Sequence, residues 1–276
     1  MLAIKGLGKF FGNTRNAKSI FRQLDLVLNG GDAAAIFGAN GVGKSTFLRC
    51  VAGLLLADEG EIELSDERRD CSLSIAYLFD GPKTLRPRLT AHENLRYFKS
   101  VLGLTDTKYL DRAHAILKRL NLQEIDKPLQ FLSRGSQQKV NIAMGLAARP
   151  SLIVCDEPSS FLDSAAAAEL ASLLKEAASE KAHVLMATHN LSFATGVGAK
   201  LLMLTSDGLG PFDKNGLSSV MYSIEFHDVD SCIQFANESS GNVQNYDPRK
   251  VTIGAEDSIA ILPYLKGGKI KEISLI

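Results

Sequence analysis

An α/β fold built on a buried parallel sheet, interrupted by a helical insert and followed by a small α+β appendage, is the architecture this sequence predicts. Three observations carry that expectation. Short apolar runs at residues 33–37, 152–155 and 184–187 each end in small or polar residues, as strands covered on both faces do. Between the first two lies a stretch, about residues 82–139, with helical periodicity and no comparable apolar run. Beyond about Gly210 the texture changes again: residues 207–216 bear glycine and proline, and Val220, Tyr222, Ile224 and Phe226 then alternate with period two.

In chain order, the strand at 33–37 runs into a glycine-rich turn and then a helical stretch at 46–54. In the insert, Thr90 and Glu93 have the spacing of a capping box, and Leu95, Phe98 and Leu102 follow at i, i+3 and i+7. In the tail, Asp228 is placed to cap a short helix burying Val229, Cys232, Ile233 and Ala236, and further strands are expected at 251–253 and 270–275. Pro263 falls inside a second helical stretch, 256–265, which should be short or kinked. The expected division is a first domain at 1–210, containing the insert at about 82–139, and a small α+β domain at 211–276.

Composition bounds the function. The chain has 276 residues, 45% hydrophobic and 22% charged, which is a globular balance and excludes a disordered chain. Lys+Arg and Asp+Glu number 31 each, so the overall charge does not call for nucleic acid or an anionic membrane surface. No uncharged apolar stretch approaches the ~18 residues that span a bilayer, and residues 1–12 lack a secretory signal pattern, so a cytoplasmic location is expected. Cys50, Cys71, Cys155 and Cys232 are scattered, without a CxxC pair or a histidine at ligand spacing, and read as reduced core residues.

Two motifs point to phosphate chemistry. Residues 38–45, Gly38-Ala39-Asn40-Gly41-Val42-Gly43-Lys44-Ser45, fit GxxxxGK[ST] between a strand and a helix that Thr46 opens. Glycines let backbone N–H groups turn inward around a phosphate, and the helix aims its positive end at the same anion. Lys44 adds a charge for the β and γ phosphates, and Ser45 offers a hydroxyl to Mg²⁺, a hard ion that binds largely through phosphate oxygens. The strand at 152–155 ends in Asp156-Glu157. A carboxylate at a buried strand tip is costly unless it meets a cation, which suits Asp156 to Mg²⁺. Glu157, one residue further on, is placed to act as general base on an attacking water.

Further segments resemble one family, the ATP-binding cassette (ABC) ATPases, over about residues 1–210. Leu132-Ser133-Arg134-Gly135-Ser136-Gln137 looks like the LSGGQ signature, with Gly135 lying 21 residues ahead of Asp156. Physically, Ser133 can cap a helix starting near Ser136 and present its hydroxyl, the Gly135 amide and the helix dipole to an anion. The resemblance makes that anion the γ phosphate of ATP held by an opposing cassette, in a head-to-tail homodimer or heterodimer. Residues 160–163, Ser160-Phe161-Leu162-Asp163, resemble the D-loop, and His189 resembles the switch histidine that contacts the γ phosphate. By themselves His189 reads as a strand-end residue and Asp163 as a helix cap. Phe11 matches the aromatic that stacks on adenine, although core packing by Phe10 or Phe11 fits the sequence nearly as well.

The implied fold is a P-loop NTPase core of the ABC type, and the implied activity is ATP hydrolysis with Mg²⁺. Three residues depart from the family pattern. Asp80 stands at the usual Q-loop glutamine, where the side chain links Mg²⁺ or water to the helical subdomain. Arg134 replaces the first signature glycine, and Ser136 the usual glutamine or methionine, so slower or differently coupled hydrolysis is expected. By resemblance, the chain is the motor subunit of an exporter. It would dock a separate integral membrane permease through the cleft near residues 80–98 and sit peripherally on the inner face of the membrane. The alternatives are a soluble cassette serving cofactor or iron–sulfur assembly and a weakly hydrolysing regulatory cassette.

Overall fold

The computed structural model of the protein describes residues 1–12, 18–65, 73–81, 83–212, 221–238, 243–247, 250–254 and 270–275. Two long strands, β1 (Leu2–Phe11) and β2 (Lys18–Leu28), precede β3 (Ala33–Phe37), α1 (Lys44–Val51), β4 (Glu59–Leu64) and β5 (Ile75–Leu78). The insert supplies α2 (Ala91–Val101), α3 (Tyr109–Arg119), a 3₁₀ turn at Leu129–Phe131 and α4 (Arg134–Leu146). Then come β6 (Leu152–Asp156), α5 (Ser164–Ser179), β7 (His183–Ala187), α6 (Leu191–Val197), β8 (Lys200–Thr205) and β9 (Gly208–Pro211). The tail holds β10 (Met221–Phe226), α7 (Val229–Glu238), β11 (Val243–Asp247), β12 (Lys250–Gly254) and β13 (Ile270–Leu275).

The three apolar runs become neighbours in one six-stranded sheet of order β5-β6-β7-β3-β8-β9, parallel except for the edge strand β9. Alternation along β3 explains why every residue in it is apolar. Ala33, Ala35 and Phe37 face Leu170 and Leu174 of α5 and Phe193 of α6, while Ala34 and Ile36 face Phe47 and Leu48 of α1. That second face is also covered by Leu2, Ile4, Leu24 and Leu28 of an antiparallel sheet, order β2-β1-β4. Burying each such Leu, Ile or Phe contributes about 1.5–3 kcal/mol, so cover on both faces fixes the sheet. The antiparallel sheet was not expected from the sequence, nor were β5, β8 and β9.

The insert has a core of its own, with Leu95 of α2, Tyr109, Ala113 and Leu117 of α3, and Val140 and Met144 of α4. The expected capping box forms: the Thr90 hydroxyl accepts from Glu93 N at 3.2 Å, and Glu93 Oε2 accepts from Thr90 N at 2.8 Å. Leu95 is buried, with Phe98 and Leu102 packed beside it. Two helices start earlier than the sequence suggested: α1 at Lys44 and α4 at Arg134 rather than near Ser136. α4 also continues to Leu146, past position 139, because Ile142, Ala143 and Leu146 remain buried.

In the tail, β11-β12-β10-β13 form an antiparallel sheet in which α7 separates β10 from β11, a split β-α-β arrangement. Asp228 caps α7 as expected, accepting from Ser231 N at 2.7 Å. Its buried face is narrower than the sequence suggested: Cys232 is buried, Val229 half-buried, and Ile233 is 41% exposed. Ile224, Phe226, Cys232 and Ile273 join the same buried cluster as α5 and α6, so tail and first domain share a core. Strand β11 was not foreseen. Cys50, Cys155 and Cys232 are buried, whereas Cys71, Val220, the helical stretch at 256–265 with Pro263, and the side chains of Tyr222 and Ala236 lie outside the described residues.

Candidate active site

The loop at 38–45 leaves the carboxyl end of β3 and turns directly into α1. Gly43 sits at φ 114°, the N-cap of α1, where a Cβ would lie 2.7 Å from the Ile20 side chain; only glycine fits. Gly38, Asn40, Gly41 and Val42 form the turn ahead of it, and Thr46 lies in the first turn of α1. Lys44 is 8% exposed, and its Nζ donates to the carbonyls of Gly38 at 2.7 Å and Ala39 at 3.1 Å. Burial lowers its pKa, opposed by the charges of Glu157 and Asp156. An ammonium held by neutral carbonyls under a glycine turn is ready for an anion.

Four sheet-end segments converge on that lysine. Ser45 Oγ donates to Asp156 Oδ1 at 2.9 Å, and Tyr77 Oη donates to Asp156 Oδ2 at 3.2 Å. Burial followed by the Asp156 charge raises the Tyr77 pKa, keeping the phenol a donor. Tyr77 was missed in the sequence; the β5–β6 register, which pairs it with Val154, brings it to the Asp156 end. The Ser45 hydroxyl and the Asp156 carboxylate are adjacent hard oxygen donors, a set that fits Mg²⁺ completed by phosphate oxygens. Among the described residues no cluster of three or more His, Cys, Asp or Glu side chains forms a cage for a metal.

Glu157 sits at φ 48°, an uncommon left-handed position for a non-glycine residue, held by its N–H to the Ala187 carbonyl at 2.9 Å. Its Oε2 accepts from His189 N at 3.3 Å, and its Oε1 lies 3.2 Å from His189 Nε2. Burial raises the Glu157 pKa to about 7; the His189 amide and Lys44 lower it, and the charges of Asp156 and Asp80 add to the rise. Burial, with Lys44, lowers the His189 pKa, which favours the neutral ring, and its Nε2 faces the Glu157 carboxylate. A carboxylate poised near neutrality beside an imidazole is suited to accept a proton.

Ser133 and Gly135 lie apart from this cluster. Ser133 caps α4, its Oγ accepting from Ser136 N at 3.1 Å. With Arg134, Ser136, Lys139, Phe161 and Asp163 they line an open cleft of about 480 Å³ that includes no residue of the 38–45 loop. A Cβ on Gly135 would lie 2.5 Å from the Phe161 carbonyl, so the D-loop segment packs flat on the signature only because no side chain intervenes. Arg134 stacks over the Phe161 ring at 5.6 Å. Asp163 caps α5 through Ala166 N at 2.8 Å. Phe11, at the end of β1, is 47% exposed with the Lys9 ammonium 5.4 Å from its ring, so it is not a core residue. The Ser133 cleft and the Lys44 cluster are thus two separate places on the chain.

Comparison with known proteins follows the same lines. The family model described as ABC transporter matches residues 21–160. The lipoprotein-releasing system ATP-binding protein LolD 1 of Caulobacter vibrioides is 33% identical over 75% of this chain and 93% of its own. The cytochrome c biogenesis ATP-binding export protein CcmA of Agrobacterium fabrum is 34% identical over 64% and 85%, and the hypophosphite import ATP-binding protein HtxD of Stutzerimonas stutzeri 32% over 77% and 66%. A dimeric ATP-binding cassette in a post-hydrolysis state, bound to ADP and Pi, superimposes with a TM-score of 0.65 at 26% identity, over 77% of this chain and 99% of that one.

Proposed function

The chain belongs to the ABC transporter ATPase family and hydrolyses ATP, and on that footing we propose that it is the motor subunit of an exporter, working as a head-to-tail pair of cassettes on a separate membrane permease. The observation that carries the site assignment is the convergence of Lys44, Ser45, Asp156, Glu157 and His189 from separate sheet ends. In this reading Gly38, Asn40, Gly41, Val42, Gly43 and Thr46 wrap the phosphates with backbone N–H groups. Phe11 stacks on the adenine, and Lys44 neutralises the β and γ oxygens. Mg²⁺, when bound by Ser45 and Asp156 with Asp80 nearby, supplies charge neutralisation to the phosphates.

Glu157 takes a proton from water as the water oxygen bonds to the γ phosphorus and the bond to the ADP oxygen breaks; His189 holds the carboxylate by its backbone N–H, with Nε2 facing it. Ser133 and Gly135 serve the γ phosphate of the opposing cassette, which is why they stand outside the cis cluster. ATP closes the pair because it binds the joined state better than the open one, and hydrolysis releases it. The first domain is residues 1–210, with the helical insert presenting half-exposed Tyr97 and exposed Val101 to the permease, and residues 211–276 form the α+β addition. Among the described residues no helix is long and apolar enough to cross a membrane; in this reading the chain reaches the membrane through the permease.

The export reading leans on relatives such as LolD 1, named for lipoprotein release, and CcmA, named an export protein. Glu157→Gln with ATP tests the motor: a trapped dimer in a sizing experiment is expected, and a monomer with wild-type turnover would refute it. Recovery with a polytopic membrane protein, and ATP-driven efflux from vesicles carrying both, tests the partner and the direction.

A further inference from the structure

Asp156 is held from two sides. It is 7% exposed at the tip of β6, with Oδ1 accepting from Ser45 Oγ at 2.9 Å and Oδ2 accepting from Tyr77 Oη at 3.2 Å. Strand alternation brings the phenol there. Ile75 and Tyr77 of β5 and Leu152 and Val154 of β6 share the face packed by α1, and the parallel register pairs Tyr77 with Val154, two residues before Asp156 on the same face.

The Tyr77 ring packs against that cluster and tilts on the Phe79 ring, with centroids 4.5 Å apart. A phenylalanine would pack equally well and would take no hydroxyl into a half-buried place. Packing therefore explains the ring and not the hydroxyl, whose single proton goes to Asp156 Oδ2. A hydrogen bond to a charged acceptor is stronger than one between neutral groups, so the phenol fixes the turn of the carboxylate about its Cβ–Cγ bond. With Oδ2 engaged, Oδ1 on the Ser45 side is the oxygen offered to an ion, and offering both oxygens to one ion requires the phenol bond to break.

Hard cations differ in what they ask of such a carboxylate. Mg²⁺ demands near-ideal octahedral geometry at about 2.0–2.1 Å and suits a donor that presents one oxygen in a fixed direction, whereas Ca²⁺ takes more ligands at about 2.3–2.6 Å and readily binds a carboxylate through both oxygens. We infer that Tyr77 is a positioning residue that holds Asp156 to one-oxygen donation beside Ser45 and so makes the site prefer Mg²⁺ to Ca²⁺. This rests on the assignment, proposed above, of Ser45 and Asp156 to the cation that accompanies the nucleotide.

Tyr77→Phe removes the hydroxyl and keeps the ring on Phe79. The experiment is an equilibrium titration of the purified full chain with ATP in Mg²⁺, in Ca²⁺ and in EDTA. In EDTA the variant should bind within about twofold of wild type, because Lys44 and its loop are untouched, while the preference for Mg²⁺ over Ca²⁺, taken as the ratio of the two affinities, should fall about tenfold. No preference in wild type, or a ratio unchanged or raised in the variant, would overturn the inference; a loss of equal size in all three conditions is such a case and marks a purely structural role. Ser45→Ala titrated alongside separates the two levels, since it should lose most of the gain in affinity that Mg²⁺ gives over EDTA. If it keeps that gain, the cation assignment itself fails, whereas its loss beside a wild-type ratio in Tyr77→Phe rejects only the role of the phenol.

Discussion

Glu157→Gln has a consequence beyond turnover that can be worked from the structure. The carboxyl is 24% exposed, and burial lifts its pKa from 4.5 to about 7. A carboxylic acid with a raised folded-state pKa binds its proton more tightly in the fold than in the unfolded chain, so stability falls as pH rises from about 4.5 to about 7 and is level above that. At about 1.4 kcal/mol per pH unit, the charge opposes folding by roughly 3 kcal/mol at pH 8 and by less than about 1 kcal/mol at pH 5. Glutamine carries no such charge at any pH. The nucleotide-free variant should therefore exceed wild type in stability by an amount that grows by about 2 kcal/mol between pH 5 and 8. Titration of His189 occurs in both proteins and largely cancels in the difference. Urea unfolding of both at several pH values is the assay. A difference independent of pH would refute the reasoning, since it would place the Glu157 carboxylate in an environment no less polar than water.

Lys44→Ala should weaken ATP binding by at least about tenfold, because it removes the one buried cation of the loop, and titration with a fluorescent ATP analogue checks it. In wild type, kcat/KM for ATP should rise with pH through an apparent pKa near 7, as the free Glu157 carboxyl ionises; a flat profile between pH 6 and 8 would remove it as the base. Ser133→Ala should cost about 1 kcal/mol in thermal unfolding through loss of the α4 cap, and should lower ATP-dependent dimer formation. Gly135→Ala forces a Cβ to within 2.5 Å of the Phe161 carbonyl, so it should leave ATP affinity intact while abolishing the dimer in a sizing experiment with Glu157→Gln.

Local patterns made some of this legible in one dimension. The strand at 33–37, the turn after it and the helix beyond are set by residues within a dozen positions of one another, and so is the capping box at Thr90. The antiparallel sheet could not be seen in the same way. β1 and β2 have mixed burial along their length, and β4 is mostly exposed, so neither a clean alternation nor an unbroken apolar run marks them. Tyr77 went unnoticed for a related reason: a polar side chain takes its meaning from the partner it meets, and its partner lies 79 residues away.

What the amino-acid order determined was the kind of chemistry, because a glycine turn, a lysine and a strand-tip carboxylate each imply a phosphate or a cation wherever they are folded. The tertiary structure alone decided which groups meet. It seats Asp156 against Ser45 and Tyr77, lifts the Glu157 pKa by burying it beside His189, and keeps the Ser133 cleft away from the Lys44 loop. Proton affinity and distance depend on the surrounding dielectric and on neighbours remote in sequence, and those exist only once the sheet is assembled.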